Sequence, residues 1–485
     1  MEVSATTPLP PSPSTHTSIR GFQAMIAAIT CVDFMETGMV TFAAGPIMAG
    51  LGLDAQGFAH SFIVYGVCTI LMLYKHQWMV ERLGYKRFVQ ASLLVFALGA
   101  LVCATSSSLD AFCLGRALQG LGGATFFTAG RMQINHLPAE ARFGGLVCFV
   151  GSLLGATALS PLLASGLLGL GGWRLLFGGM IPVAALVAWQ ASPHLPAEKA
   201  DPGTRSQEHW GWLLALVPAV FGLQYALVAS QFELLAEPGL VLGSGALAVL
   251  VLSAFALRQW HKERPLINYR GLLQSRYLTG IVFYFFGYFI LGLNGFLLPI
   301  ALEHSLGLPL EQAALILSAS MGASVPAALL HLTLTRRWPV IRPYMLVGLA
   351  LIGGACLTLG SQIQAGTAPL LTGLVCGFGI PFFIGPVAFG TFTRIAPTVF
   401  SHAYQVKNIV RQLGLSSAMT VGALLVELRY RHHLGSAPGE APNFMDGLGA
   451  AAHSALAQAC AEGYTLLAAL GAGLMVLVLI QRPLR

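Results

Sequence analysis

Long apolar runs separated by short polar gaps set the pattern of the chain. Runs of about 20 residues, the length a helix needs to cross the hydrocarbon core of a bilayer, fall at 21–51, 58–78, 87–104, 111–134, 143–168 and 173–191. The polar stretch SPHLPAEKADPGTRSQEHW then covers 192–210. Two more runs, 212–231 and 240–257, precede the basic gap RQWHKERPLINYRGLLQSR, and the last six cover 277–302, 313–334, 343–359, 369–392, 405–425 and 464–480. The pattern predicts an all-α polytopic membrane protein of about fourteen transmembrane helices. Its expected organisation is a disordered tail over 1–19, a six-helix bundle over 20–191, a linker over 192–211, an inserted helix pair over 212–259, a second linker over 260–276 and a second six-helix bundle over 277–485. Six, two and six is the arrangement of a transporter built from repeats with a pair of helices added between them.

Composition agrees with that reading. Of 485 residues, 55% are hydrophobic and 9% charged, too few charges to solvate a globule of this size. Lys and Arg number 26 against 19 Asp and Glu, an excess that would suggest a polyanion partner if it were clustered on a soluble face. It is spread instead over alternate gaps, with Arg82, Lys86, Arg87, Arg142, Arg264, Arg276, Arg336, Arg337 and Arg394 on one side and only Arg174, Arg429 and Arg431 on the other. By the positive-inside rule both termini face the cytoplasm, and no nucleic-acid partner is expected. The tail MEVSATTPLPPSPSTHTSIR lacks the charged start and short apolar core of a cleaved signal. Most cysteines fall inside apolar runs, none with metal-ligand spacing, and the chain holds no phosphate loop or nucleophile motif. No metal, cofactor or enzymatic activity is expected.

The candidate chemistry lies in the few charges inside the runs. Asp33 and Glu36 sit near the middle of the first, at i and i+3 on one helical face. A charge at that depth costs at least about 2.5–3.5 kcal/mol, so it is normally paired or faces a watery cavity. Two carboxylates a turn apart in a medium of low dielectric should not both stay ionised. They read either as a proton carrier, drawn on by Arg116 in the fourth run, or as one half of a structural ion pair with that arginine. Lys407 and Arg411, at i and i+4 in YQVKNIVRQLG, read either as cations on a cavity wall or, for Lys407, as a side chain reaching back to the surface. Arg131 carries the same two readings. YFFGYFILGLNG offers Phe285, Phe289 and Asn294 toward a cavity, and CGFGIPFFIGP, 376–386, is a Gly/Pro break suited to a hinge.

Several of these segments carry a family resemblance. QWMVERLGYKR, 77–87, resembles the loop signature G-x-L-A-D-R-x-G-R-K of the major facilitator superfamily, with Glu81, Arg82, Gly84 and Lys86 in register and Gln77 in place of the first glycine. LGRALQGLGGA resembles the family's R-x-x-Q-G element through Arg116, Gln119 and Gly120. GATALSPLLASGLLGLGGWRLLFGG is similar to the fifth-helix antiporter signature of the fourteen-span drug:proton antiporter branch, with Pro161 in register, Ser160 where that signature has glycine and Gly155 opening the segment. VKNIVRQLGLSSA resembles that branch's thirteenth-helix segment, ETGMV fits part of its acidic first-helix pattern, and Tyr65 matches its second-helix tyrosine.

The resemblance implies a major facilitator fold and a proton-coupled exporter of small amphipathic molecules such as drugs, working by alternating access in the inner membrane. Asp33, Glu36 and Arg116 would couple protons. Tyr65, Gln119, Phe285, Phe289, Asn294, Lys407 and Arg411 would meet substrate. Glu81, Arg82, Gly84 and Lys86 would latch the bundles, and Gly155, Ser160 and Pro161 would form the antiporter hinge. Expected partners are the small-molecule substrate, protons and the bilayer, with a periplasmic adaptor and outer-membrane channel as a further option. Export of an acidic secondary metabolite or siderophore, and a transporter-like sensor without turnover, stand as alternatives. The proton:peptide symporter group also inserts two helices, but its E-x-x-E-R-F signature is missing: 33–38 read DFMETG.

Overall fold

A computed structural model of the chain describes residues 18–53, 55–206, 210–230, 237–396, 398–435 and 450–484. Nearly all of the expected tail lies outside them, as do residues 207–209 of the first linker. The described chain is helical, and its long elements follow the apolar runs: α1 (Ile19–Phe42, continued by Ala44–Leu51), α2 (Ala55–Leu83), α3 (Tyr85–Thr105), α4 (Leu109–Gln133), α5 (Ala139–Gly171) and α6 (Arg174–Ala191). Then come α7 (Trp210–Ala229), α8 (Pro238–Trp260), α9 (Ser275–Ile300), α10 (Leu310–Gly322 and Ser324–Arg337), α11 (Arg342–Gln364), α12 (Leu370–Gly390), α13 (Phe400–Leu434) and α14 (Ala450–Ile480). Twelve of these are long and apolar enough to cross a membrane; α4 and α7 are not among them. α4 carries the buried Arg116 and is rich in glycine, with Gly115, Gly120, Gly122, Gly123 and Gly130 in that one helix.

Helices α1–α6 pack on one another, and so do α9–α14. The pair α7–α8 packs together, and α7 leans on both α2 and α13. The two groups meet through α5 against α10 and α2 against α13. Proline sets the local breaks. Pro46 cannot donate to the carbonyl of Phe42, and α1 is interrupted at Ala43; Pro326 does the same to Gly322, and α10 is interrupted at Ala323. The Gly/Pro run over 376–386 leaves α12 continuous.

Two helices outrun the apolar pattern. α13 continues past 425 to Leu434, and α14 begins at Ala450 rather than 464. The added turns are polar, and they hold each other: Arg429 donates Nη2–H to Glu462 Oε1 at 2.8 Å, and the same carboxylate meets His433 Nε2 at 3.0 Å. Tertiary pairing makes helix of residues that a hydropathy pattern leaves out.

Candidate functional site

A cavity of about 1340 Å³ lies between the two groups, lined by α1, α2, α4 and α5 on one side and by α9, α10, α12 and α13 on the other. At the end of the molecule that carries Ile19 and Ile480, the walls are joined. Asn408 Nδ2–H donates to Thr128 Oγ1 at 2.5 Å, Gln405 Nε2–H donates to the Leu73 carbonyl at 3.2 Å, and the rings of Phe127 and Tyr404 stack at 5.9 Å. At the opposite end the lining runs out to Pro46 and Met48 on α1, Glu303 and His304 after α9, and Glu427 and Arg431 on α13.

The two first-helix acids part company. Asp33 lines the cavity and is 5% exposed; its Oδ1 accepts the Tyr65 hydroxyl proton at 2.6 Å. Glu36, 1% exposed, is absent from the lining and is turned toward α4, where Oε1 accepts from Arg116 Nη1. The same Nη1 reaches Gln119 Oε1 at 2.9 Å, and the guanidinium lies 4.2 Å from the Tyr65 ring centroid. Arg116 is wholly buried, so it depends on Glu36 for its counter-charge. α4 comes this close to α1 because position 123 is glycine: a Cβ there would stand 2.9 Å from Asp33 Oδ1.

Two cations, Lys407 and Arg411, stand across the cavity on α13, and a third, Arg131, lines it from α4. Lys407 is 4% exposed and lines the cavity, so the surface-reaching reading does not hold. Its Nζ donates to the Tyr404 hydroxyl at 3.2 Å and sits over the rings of Tyr404 at 4.3 Å, Tyr284 at 4.5 Å, Phe392 at 5.5 Å and Phe127 at 5.6 Å. Such a contact contributes about 0.5–1 kcal/mol when exposed and about 2 kcal/mol when desolvated. Arg411 lies over Phe127 and Phe34 at 5.1 and 5.2 Å, and Arg131 over Phe400 at 5.3 Å. Among the described residues no carboxylate lies within ion-pair distance of Lys407 or Arg411.

Asn294 lines the cavity, but Phe285 and Phe289 do not; Tyr284 and Tyr288, one position earlier, take the wall. The helix rotates about 100° per residue, so a one-residue error turns a side chain off the wall. Phe127, Tyr284, Phe392 and Tyr404 were not singled out from the sequence, although Tyr404 stands one turn before Lys407. Ser160 and Pro161 line the cavity and Gly155 does not. Beside Pro161, the Leu162 N–H donates across to Ser318 Oγ on α10 at 3.3 Å.

The loop signature takes its partners from the linker after α6. Glu81 Oε2 accepts from Ser206 N–H at 2.8 Å and from Ser206 Oγ–H at 2.7 Å, while Arg82 Nη2–H donates to the Ser206 carbonyl at 2.9 Å. Gln77, where the family has glycine, donates to Glu81 Oε1 at 3.2 Å. Lys86 contributes its backbone N–H, bonded to the Pro196 carbonyl at 2.9 Å. Gly84 has φ +78°, and a Cβ there would stand 2.7 Å from the Ala197 carbonyl, so the linker's approach requires glycine. Replacing Glu81 by alanine should therefore free the linker. Trypsin cleavage after Lys199 and Arg205 is expected to quicken about 5- to 10-fold, the effect of losing bonds to a charged acceptor at a partly wet site; gel analysis of timed digests measures it.

Comparison with known proteins follows this geometry. A family model described as Major Facilitator Superfamily matches residues 26–419. The "Multidrug resistance protein B homolog" of Mycobacterium tuberculosis (strain ATCC 25618 / H37Rv) is 24% identical over 413 residues, covering 82% of this chain and 74% of that protein. The "Putative multidrug resistance protein MdtD" of Salmonella paratyphi B is 24% identical over 410 residues, 83% of this chain and 85% of that one. Among solved structures, an auto-inhibited POT family peptide transporter covers 96% of this chain and 97% of its own at a TM-score of 0.62 and 17% identity. The xylose transporter XylE from E. coli, in a partially occluded inward-open conformation, covers 96% and 100% at 0.61 and 11%. At such identities the structural likeness is one of fold.

Proposed function

The chain belongs to the Major Facilitator Superfamily, and on that premise we propose that it is a proton-coupled exporter of small amphipathic molecules, drugs among them, that works by alternating access. One observation carries the proton: Asp33 is a buried carboxylate that faces the cavity and is held by a neutral hydroxyl, whereas Glu36 is absent from the lining and is bound to Arg116. Asp33 is the proton site, and Glu36 with Arg116 ties α1 to α4. The names of the multidrug resistance relatives support drugs as the substrate class. The molecule moved is released unchanged, and the energy comes from the ion gradient.

In this reading all of α1–α14 cross the inner membrane, with the bundles, inserted pair and linkers bounded as the sequence pattern suggests. The Arg- and Lys-rich gaps put both termini in the cytoplasm. The cavity then faces outward. A proton entering from outside neutralises Asp33 and weakens its hold on any cationic group bound there. Rocking of the bundles breaks the Asn408–Thr128 and Gln405–Leu73 bonds, opens the cavity to the cytoplasm and lets Asp33 release its proton.

The test is reconstitution of the full chain in proteoliposomes with an imposed pH gradient. Ethidium should move against its concentration gradient, and a protonophore should stop it. Movement that ignores the protonophore would remove the proton from the mechanism, and absence of movement would favour a sensor without turnover.

A further inference from the structure

We propose that the cavity is built for zwitterionic aromatic compounds, whose basic nitrogen meets Asp33 on the first bundle and whose carboxylate meets Lys407 on the second; this rests on the reading of the protein as a proton-coupled exporter. Lys407 is a buried amine whose contacts among the described residues are ring faces and one phenolic oxygen, with the cations Arg131 and Arg411 nearby. Protonated, it carries three donors, of which one is used. A buried cation without a counter-charge is costly, and on this wall the shortage extends further. Arg411 Nε, on a residue 6% exposed that lines the cavity one helical turn from Lys407, has no hydrogen-bond partner. Together these groups form an anion site that the protein leaves unfilled.

The opposite wall excludes a simple anion as the best fit. Asp33 would repel it, just as Lys407, Arg411 and Arg131 would repel a simple cation. A molecule carrying both charges satisfies both walls. The path between them is aromatic: Arg411 lies over Phe34, one residue from Asp33, and Phe127 is shared by Arg411 at 5.1 Å and Lys407 at 5.6 Å. A flat ring system between the two charges matches that floor. The arrangement also keeps the exchange logic intact. A proton arriving at Asp33 competes with the ammonium end, as antiport requires, while the carboxylate end on Lys407 adds affinity that the proton leaves alone.

Matched probes test this in the same proteoliposomes: ciprofloxacin, which carries both charges; its methyl ester, which keeps the amine alone; and its N-acetyl derivative, which keeps the carboxylate alone. The wild type should move ciprofloxacin faster than either masked form. Lys407→Ala should lower the ciprofloxacin-to-ester rate ratio about tenfold, the low end for one close ion pair, and Lys407→Arg should keep the ratio above that of alanine. Should Lys407→Ala not reconstitute, Lys407→Gln gives the same ratio. An unchanged ratio while ethidium still moves overturns the zwitterion site alone. If the wild type moves neither ethidium nor any probe under the gradient, the exporter reading falls and the site with it.

Discussion

Asp33→Asn should abolish accumulation against a gradient while leaving downhill equilibration intact. Asparagine keeps the shape and still accepts the Tyr65 proton, made at 2.6 Å in the native chain, but it cannot be loaded and unloaded with a proton. A gradient of about two pH units stores about 2.7 kcal/mol per proton, enough for roughly hundredfold accumulation at one proton per substrate. The variant should show none of it. Glu36→Gln, off the lining, should retain accumulation in whatever protein survives folding. Parallel time courses with and without the pH gradient separate the two, and an asparagine variant that accumulates substrate like the wild type would rule Asp33 out as the proton site.

The second large effect is on stability. Arg116→Leu leaves the Glu36 carboxylate at 1% exposure without the cation that compensates it. Breaking a buried pair from one side costs about 3–5 kcal/mol, and the variant should melt well below the wild type in detergent. Adding Glu36→Gln should recover most of the loss, because neither residue then buries an unpaired charge. Thermal unfolding of the two single variants and the double decides the matter. Additive losses would mean that the two side chains do not act as a pair.

Much of the fold could be read from the chain because a bilayer demands helices of one length and one character, and the apolar runs report it directly. The exceptions are instructive. α4, which carries the buried Arg116 and is rich in glycine, is less apolar than its neighbours, and α13 and α14 grow polar turns because Arg429, His433 and Glu462 meet only after folding. The site was half legible. Intramembrane charge singles out Asp33, Glu36, Arg116, Lys407 and Arg411 on cost alone. Periodicity put Asp33 and Glu36 on one face, but three residues leave them about 60° apart, and that angle separates a cavity-facing acid from one turned to α4. Nor could pattern choose Tyr284 over Phe285. The latch residues were visible as a motif, yet their partner Ser206 lies in a linker with no periodicity to mark it.

The bonds that close the terminus-bearing end, Asn408 to Thr128, Gln405 to the Leu73 carbonyl and Phe127 on Tyr404, join groups without net charge. The opposite rim is different: Arg431 with Glu427, and Arg429 with Glu462, are ion pairs with side chains 17–39% exposed. Ionic strength therefore addresses one mouth and not the other. Raising salt from physiological to about 1 M shortens the Debye length from about 8 Å to about 3 Å. It screens the field that a charged solute meets as it passes the rim, and leaves the neutral closure at the far end with the same hold.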